Sequence, residues 1–378
     1  MRIPSILRHL LTSVSAILLA LGLSEIAVRL CNPQPIRPAM YQADPLYGRT
    51  TIPRLGGYWK EPEFSHAFQL NSLGFRDRER ALRKPANTVR IIGLGDSFSW
   101  GVGVEQHETF LQQLEDTLNQ SEDGMSHEVL NWGVPGWGTA QELLCLKHQA
   151  PAYHPDLVLI QYFKDDDLAD NVYKSPFRLT DEAGAVTHSA DREPNVSRLI
   201  RATRYVPFYR VLTQHSQLLS LLRARLIIAA EQNDRRPLAN TIPGDSFAYG
   251  LQLTEALLDE LFSYTESVGW TTAMLIIPRK GELSASSAGR DSGRRRRALD
   301  EARMLDDVCR RHNIPRLDLS ESFSQKDVSL LYYSIDEHLT PYGHKVTAEA
   351  TARFLNTHRL MNEPIKRASD VSDHSSIK

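Results

Sequence analysis

Cysteine is scarce in this chain: three residues in 378, at positions 31, 145 and 309. Three scattered thiols exclude a disulfide framework and a zinc site, and they leave the redox compartment open. An excess of one charge is missing too. Lysine and arginine number 44 against 46 aspartate and glutamate, a net charge of -2, so nothing points to a nucleic-acid partner and none is expected. The one basic cluster, Gly293-Arg294-Arg295-Arg296-Arg297, reads as a solvated loop running into a helix. There is no internal repeat. With 41% hydrophobic and 24% charged residues, the composition is that of an ordinary globular chain, long enough for one large domain with insertions.

Apolar runs able to cross a bilayer are absent with one exception. Ile6 to Leu30 is largely apolar and carries no charge between Thr12 and Leu23, about the length that a hydrocarbon core of ~30 Å demands. No small-x-small cleavage site precedes Asn32-Pro33, and Arg29-Leu30 is a poor lipoprotein context for Cys31. An uncleaved, single-pass signal anchor is expected. Arg2 and Arg8 on one side nearly balance Arg29 and Arg37 on the other, so the positive-inside rule leaves orientation weakly determined. The globular part is expected in the periplasm or otherwise outside the cytoplasm.

A Pro-rich linker follows, with Pro33, Pro35, Pro38 and Pro45, and residues 46–88 are expected to wrap the domain edge around the turn Asn71-Ser72-Leu73-Gly74-Phe75-Arg76-Asp77. From Val89 the chain alternates strand and helix patterns. Strands are predicted at 89–94, 128–130, 155–163, 271–277 and 315–319, and helices at 108–120, 140–149, 247–268, 297–312 and 341–360. This rhythm predicts an α/β fold with a parallel sheet layered between helices. It lapses over about 173–245, where one helix (215–230) stands in an aromatic- and Arg-rich stretch that reads as an insertion or cap. The polar carboxyl tail is expected to be disordered.

Two places carry chemistry. The strand Val89-Leu94 stops at Gly95-Asp96-Ser97, which sets a serine hydroxyl at the carboxyl end of a buried strand, the edge where open α/β sheets bind ligands. A hydroxyl is a poor nucleophile until a base takes its proton. Near the carboxyl end, Asp336 and His338 stand two apart just ahead of a helix, for which Thr340 reads as N-cap and Pro341 as first residue. In an extended loop, residues two apart point the same way, so Asp336 can orient His338 while the other ring nitrogen faces the serine. A loop hydrogen bond is the competing use of such a pair. His344, the rival base, falls in the first turns of the helix, where packing or capping is expected.

In this arrangement the chain resembles the SGNH, or GDSL-type, serine hydrolases. Gly95-Asp96-Ser97-Phe98 matches the first block, Asn131 to Gly136 (N-x-G-x-x-G) the second, the stretch after Asp156-Leu157-Val158 the third, and Asp336/His338 the last; the Asn71–Asp77 turn resembles membrane-anchored bacterial members. The resemblance implies a three-layer α/β/α, flavodoxin-like sandwich with a mainly parallel sheet. It also implies Ser97 as nucleophile, His338 as base and Asp336 as its orienter. The oxyanion hole would come from the backbone N–H groups of Ser97 and Gly136 and a third-block side chain. No cofactor or metal is implied.

Two departures stand out. Many members place the aspartate three residues before the histidine, not two. In Asp165-Asp166-Asp167-Leu168-Ala169-Asp170-Asn171, Asp166 occupies the place of the family's asparagine. An amide donates to a developing oxyanion, whereas an ionised carboxylate repels it. Lys164 and Asn171 are the candidate substitutes. The acidic run also admits an oxygen-ligated cation, though without the spacing of a calcium loop. Trp100, Trp132 and Trp137 are candidates for stacking on a sugar, or ordinary packing residues.

The expected organisation is an anchor at 1–31, a linker and edge segment at 32–88, a hydrolase-like domain at 89–362 with its insertion, and a tail at 363–378. The expected function is a serine esterase acting through an acyl-enzyme on an ester-bearing small molecule or carbohydrate. An acyltransferase acting on an extracytoplasmic polysaccharide, or a non-catalytic binding or assembly factor of the same fold, are the alternatives. Oligomeric state stays open.

Overall fold

The computed structural model describes residues 4–120, 124–164, 166–180, 186–188, 198–199, 202–203, 206, 208–241, 245–283 and 292–361. The chain begins with helix α1 (Ser5–Cys31) and two antiparallel hairpins, β1 (Tyr41–Asp44) with β2 (Gly48–Thr51) and β3 (Gly56–Lys60) with β4 (Ser65–Gln69). The alternating part runs β5 (Thr88–Gly95), α2 (Ser97–Trp100), α3 (Phe110–Leu118), β6 (Ser126–Gly133), α4 (Thr139–His148), β7 (Leu157–Phe163) and α5 (Asp166–Lys174). After it come the small hairpin β8 (Phe177–Leu179) with β9 (Val186–His188) and the helices α6 (Tyr209–His215) and α7 (Gln217–Thr241). The main elements after these are α8 (Ser246–Ser267), β10 (Thr271–Ile277), α9 (Ser292–Arg311), β11 (Arg316–Asp318) and α10 (Pro341–Thr357).

The central sheet has the order β11-β10-β7-β5-β6 with every pairing parallel. Counted along the chain, this is the 2-1-3-4-5 order of flavodoxin-like folds, whose strand order reverses between the first and third strands. That switch point lies between β5 and β7, so the residues leaving the carboxyl end of β5 stand where such sheets bind ligands. All eight residues of β5 are buried, as expected of a strand covered on both faces.

Side-chain alternation divides the core. Ile92, Leu94, Leu130, Val158, Ile160, Met274 and Ile276 face one layer and pack with Leu143 and Leu146 of α4, Leu257 and Leu261 of α8, and Leu305 of α9. Val89, Ile91, Val129, Leu157, Leu159, Ala273 and Leu275 face the other and pack with Leu111 and Leu114 of α3 and Val346 and Leu355 of α10. Each such Val, Leu, Ile or Met side chain contributes about 1.5–3 kcal/mol of burial, and together they hold the three layers. A smaller cluster of Met40, Phe64, Phe68, Leu70, Trp100 and Val102 seats the β3–β4 hairpin over the loop after Ser97.

Three expectations change. The strand predicted at 128–130 continues to Gly133, because Asn131, Trp132 and Gly133 pair with Gly93, Leu94 and Gly95 of β5; parallel pairing overrides the turn-like composition. The helix predicted at 215–230 starts two residues later, at Gln217 after a break at Ser216, and runs on to Thr241. The arginine cluster at 294–297 lies within α9, not in a loop. The tail at 363–378 lies outside the described residues.

Helix α1 is the one described helix long and apolar enough to cross a membrane, and none of its residues is buried. Its carboxyl end is tied to the insertion. The Glu25 carboxylate accepts the N–H groups of Gln217 and Leu218 at 2.9 Å each and the Ser216 hydroxyl at 2.8 Å, and Arg29 donates to the His215 carbonyl at 2.6 Å.

Candidate active site

The carboxyl end of β5 breaks into α2 through Asp96, whose side chain caps the helix by accepting the Phe98 N–H at 2.8 Å. Gly95 is required by crowding: a Cβ there would run into Gln161 and the Ser99 hydroxyl. Gln161, on β7, accepts the Ser99 hydroxyl at 2.9 Å and the N–H groups of Ser99 and Asp96 at 3.2 and 3.3 Å, so the turn is fixed from below. Asn131, on β6, donates to the Ser99 carbonyl at 2.7 Å and accepts the Gly133 N–H at 3.0 Å, which joins the second block to the first. Ser97 is left half-buried as the first residue of α2.

Above this edge, the loop from Tyr332 to Leu339 brings Asp336 and His338 to the serine. His338 Nε2 lies 2.7 Å from Ser97 Oγ, and its Nδ1 lies 2.5 Å from Asp336 Oδ1. The Phe98 ring lies under the imidazole with a centroid separation of 5.0 Å. The route differs from the extended loop expected from the sequence. Glu337 takes a left-handed conformation (φ 66°) between the two residues, a costly one for a non-glycine residue. Burial works against ionisation of Asp336, but the hydrogen bond and charge of His338 outweigh it and hold the carboxyl below its ordinary value. Thr340 caps α10 by accepting the Gly343 N–H at 3.1 Å, with Pro341 as first residue.

His344 does not face the serine. It is buried, accepts the Phe110 N–H at 3.1 Å, and burial drives its pKa down to about 3.

The second-block loop turns at Gly136, whose φ of 76° favours glycine, and where a Cβ would also strike the Arg49 guanidinium. Among the described residues the N–H groups of Ser97 and Gly136 donate to no other group. The third-block side chains are distributed differently. Asp166 is exposed in the first turn of α5, close enough for its charge to act on Asp96. Neither candidate substitute is free. Lys164 donates to Asp318 at 3.1 Å and Glu282 at 3.4 Å, and the buried Asn171 bonds Thr139, Thr254 and the Ala140 N–H.

Beneath the serine lies a group of buried carboxyls, Asp96, Glu142 and Asp167. Burial, with the neighbouring charge of Asp166, pushes Asp96 up to about 7; burial and mutual repulsion raise the other two. Asp167 accepts the Phe163 N–H at 2.5 Å. Among the described residues no group of three His, Cys, Asp or Glu side chains is placed to hold a metal ion.

The tryptophans at 100, 132 and 137 are at most 1% exposed, so they pack and do not face a sugar. Trp132 stacks on Phe75, and Trp100 lies under the Arg76 guanidinium at 4.5 Å. Arg76, in the Asn71–Asp77 turn, is itself buried and donates to the carbonyls of Ala67, Gly101 and Val104 at 2.6–3.0 Å. Sequence reasoning found that turn but not its use, which is to fix the loop that follows Ser97. It missed Gln161 and Glu63 altogether. A lone Gln inside an apolar strand was the one available signal for the first; Glu63 gave none.

A family model described as "SGNH hydrolase-like domain, acetyltransferase AlgX" matches residues 245–372, a segment that includes Asp336 and His338 and begins after Ser97. No curated protein sequence matched the chain. Among solved structures it is similar to the psychrotrophic esterase EstA from Pseudoalteromonas sp., at 12% identity over 71% of this chain and 98% of that one, with a TM-score of 0.40. It is also similar to the acetyl xylan esterase AlAXEase (11%, 70% and 98%, 0.41) and to an acetylxylan esterase from Geobacillus stearothermophilus (14%, 71% and 94%, 0.38). The sequence blocks gather at the switch-point edge of a flavodoxin-like sheet, and the carboxyl-terminal third of the chain is similar to an SGNH hydrolase-like family.

Proposed function

We propose that the chain is a membrane-anchored serine esterase working through an acyl-enzyme on O-acyl groups, with carbohydrate as the substrate class. The observation that carries this reading is the continuous chain Ser97 Oγ, His338, Asp336, at 2.7 and 2.5 Å. His338 Nε2 takes the serine proton as Oγ attacks the ester carbonyl. The negative oxygen that forms is held by the N–H groups of Ser97 and Gly136, with Asp166 at the third position. Collapse expels the alcohol, which leaves with the proton from His338, and water attacks the acyl-serine to release the acid and restore the hydroxyl. Asp336 keeps the imidazole in the required tautomer and stabilises its charged form.

In this reading residues 1–31 anchor the protein and 32–88 form its edge segment. Residues 89–362 carry the chemistry, interrupted by the insertion at about 173–245, and act in the periplasm or otherwise outside the cytoplasm. Transfer of the acyl group to a sugar hydroxyl is the second reading, supported by the acetyltransferase description of the matching family model.

The test is labelling of the full-length protein with a fluorophosphonate. Labelling abolished by Ser97→Ala supports the acyl-enzyme; labelling that survives the substitution, or is absent from the unaltered protein, overturns it in favour of a binding role. Ester cleavage that appears only with a sugar acceptor, with the acyl group recovered on the acceptor, selects transfer.

A further inference from the structure

A cavity of about 560 Å³ lies between the edge segment and the insertion, within the size range of small-ligand sites. Its wall carries Arg37, Arg49, Arg210 and Arg223, together with Tyr41 and Trp59, and no carboxylate among the described residues. Arg37 has an acidic partner outside the wall, Glu61 at 2.5 Å. Arg223 donates instead to the carbonyls of Arg37 and Pro38 at 2.5 and 3.1 Å, and Arg49 lies over the Tyr41 ring at 4.8 Å. Among the described residues neither Arg49, Arg210 nor Arg223 pairs with a carboxylate. A concave wall of guanidinium groups without their own counter-charge is built for an anion, and the planar fork of arginine favours one with several oxygens.

The cavity borders the candidate active site. Tyr41 donates its hydroxyl to the Pro135 carbonyl at 3.2 Å, Arg49 donates to the Gly136 carbonyl at 3.4 Å, and the charge of Arg37 acts on Asp336. It also borders the end of α1. Its outer wall belongs to α6 and α7, which Glu25 and Arg29 hold to that helix. On this wall Phe208 is 79% exposed, and Val211, Leu222, Leu226 and Ile228 are exposed as well. Apolar side chains facing outward beside a membrane helix, with arginines set behind them, describe an element lying at the headgroup level of a bilayer.

We propose that this cavity holds the phosphate of a membrane lipid, so that an O-acylated sugar carried by a phosphate-bearing lipid reaches Ser97 from the bilayer. The inference deepens the esterase reading and rests on it for the chemistry, and on α1 as the anchor. The binding itself is tested without turnover. The full-length protein, and its Ser97→Ala variant, in neutral detergent is titrated by calorimetry with dihexanoyl phosphatidic acid, inorganic phosphate and an oligogalacturonate.

Phosphatidic acid is expected to bind both proteins alike and at least tenfold more tightly than inorganic phosphate. Arg223→Gln should weaken it by tenfold or more, the order of a lost charge-assisted hydrogen bond, while fluorophosphonate labelling of Ser97 is unchanged. Arg210→Gln, at an exposed position where folding is not at risk, should weaken it several-fold. Absence of binding, or binding indifferent to both substitutions, overturns the inference. Equal affinity for inorganic phosphate would make this a free-anion site, and tighter binding of oligogalacturonate a sugar-acid site; either overturns the lipid. Binding without Ser97 labelling would sink the esterase reading and leave the site standing.

Discussion

The Glu63 carboxylate accepts the backbone N–H of Asp336 at 2.9 Å, and it takes those of Ser334 and Ile335 at 2.7 Å each. Glu63 follows β3 in the edge hairpin, far in sequence from the loop it organises. Three successive N–H groups converging on one carboxylate fix a turn that holds Glu337 in its left-handed conformation, and with it the approach of His338 to Ser97. Lys280 braces the same turn from the other side by donating to the carbonyls of Tyr333 and Ser334 at 3.0 and 2.8 Å.

Glu63 is therefore a positioning residue. Glu63→Ala is expected to lower kcat for a simple ester by about 10²-fold, the scale on which a misplaced reacting group is penalised, with KM little changed. Glu63→Gln, which keeps an acceptor oxygen, should recover part of the loss. Equal kcat for all three proteins would show that the turn holds itself.

Asp166 makes a second prediction through the residues that fail to replace it. Lys164 is committed to Asp318 and Glu282, and Asn171 to Thr139 and Thr254, so both side chains are already engaged. Asp166→Asn supplies the missing donor and removes a negative charge. Ester hydrolysis should rise by about 10²-fold, the lower end of what one oxyanion donor is worth. Steady-state rates on a chromogenic acetate ester check this, and unchanged or lower activity would show that Asp166 is not the third contributor.

How much of this was legible beforehand follows from the range of the forces involved. The buried strands could be read because β5, β7 and β10 are near-continuous apolar runs, and a parallel sheet leaves such runs few alternatives. Ser97, Asp336 and His338 could be named because each sits in a short motif at an element end. Their supports could not. Gln161, Glu63 and Arg76 act across contacts whose partners are 62, 273 and 25 positions away, and no local pattern encodes a partner at that distance. The tryptophans were ambiguous for a related reason: indole serves packing and stacking equally well, and only burial separates the two. Even the Asp-x-His spacing gave the right pairing by a different route, since the left-handed residue between them is invisible in sequence.

The buried carboxyls under the serine predict an unusual dependence of stability on pH. Asp96 is pushed up to about 7 by burial and the charge of Asp166, and Glu142 and Asp167 are raised by burial and the charge of their carboxylate neighbours. Glu142 Oε1 and Asp167 Oδ1 meet no donor among the described residues. Well below pH 4 these groups are protonated in folded and unfolded chains alike, and they cost nothing. As pH rises beyond that, the unfolded chain gives up protons that the folded one still binds, so stability falls until the folded groups have ionised; for Asp96 the window closes near pH 7. Glu142→Gln removes one charge from the group and supplies an N–H for a neighbouring carboxylate. Chemical denaturation from pH 4 to 8 should show the unaltered protein losing stability across this window and the variant losing distinctly less, so that it is the more stable of the two at pH 8. Parallel curves for the two proteins would mean that Glu142 does not hold its proton more tightly in the folded chain than in the unfolded one.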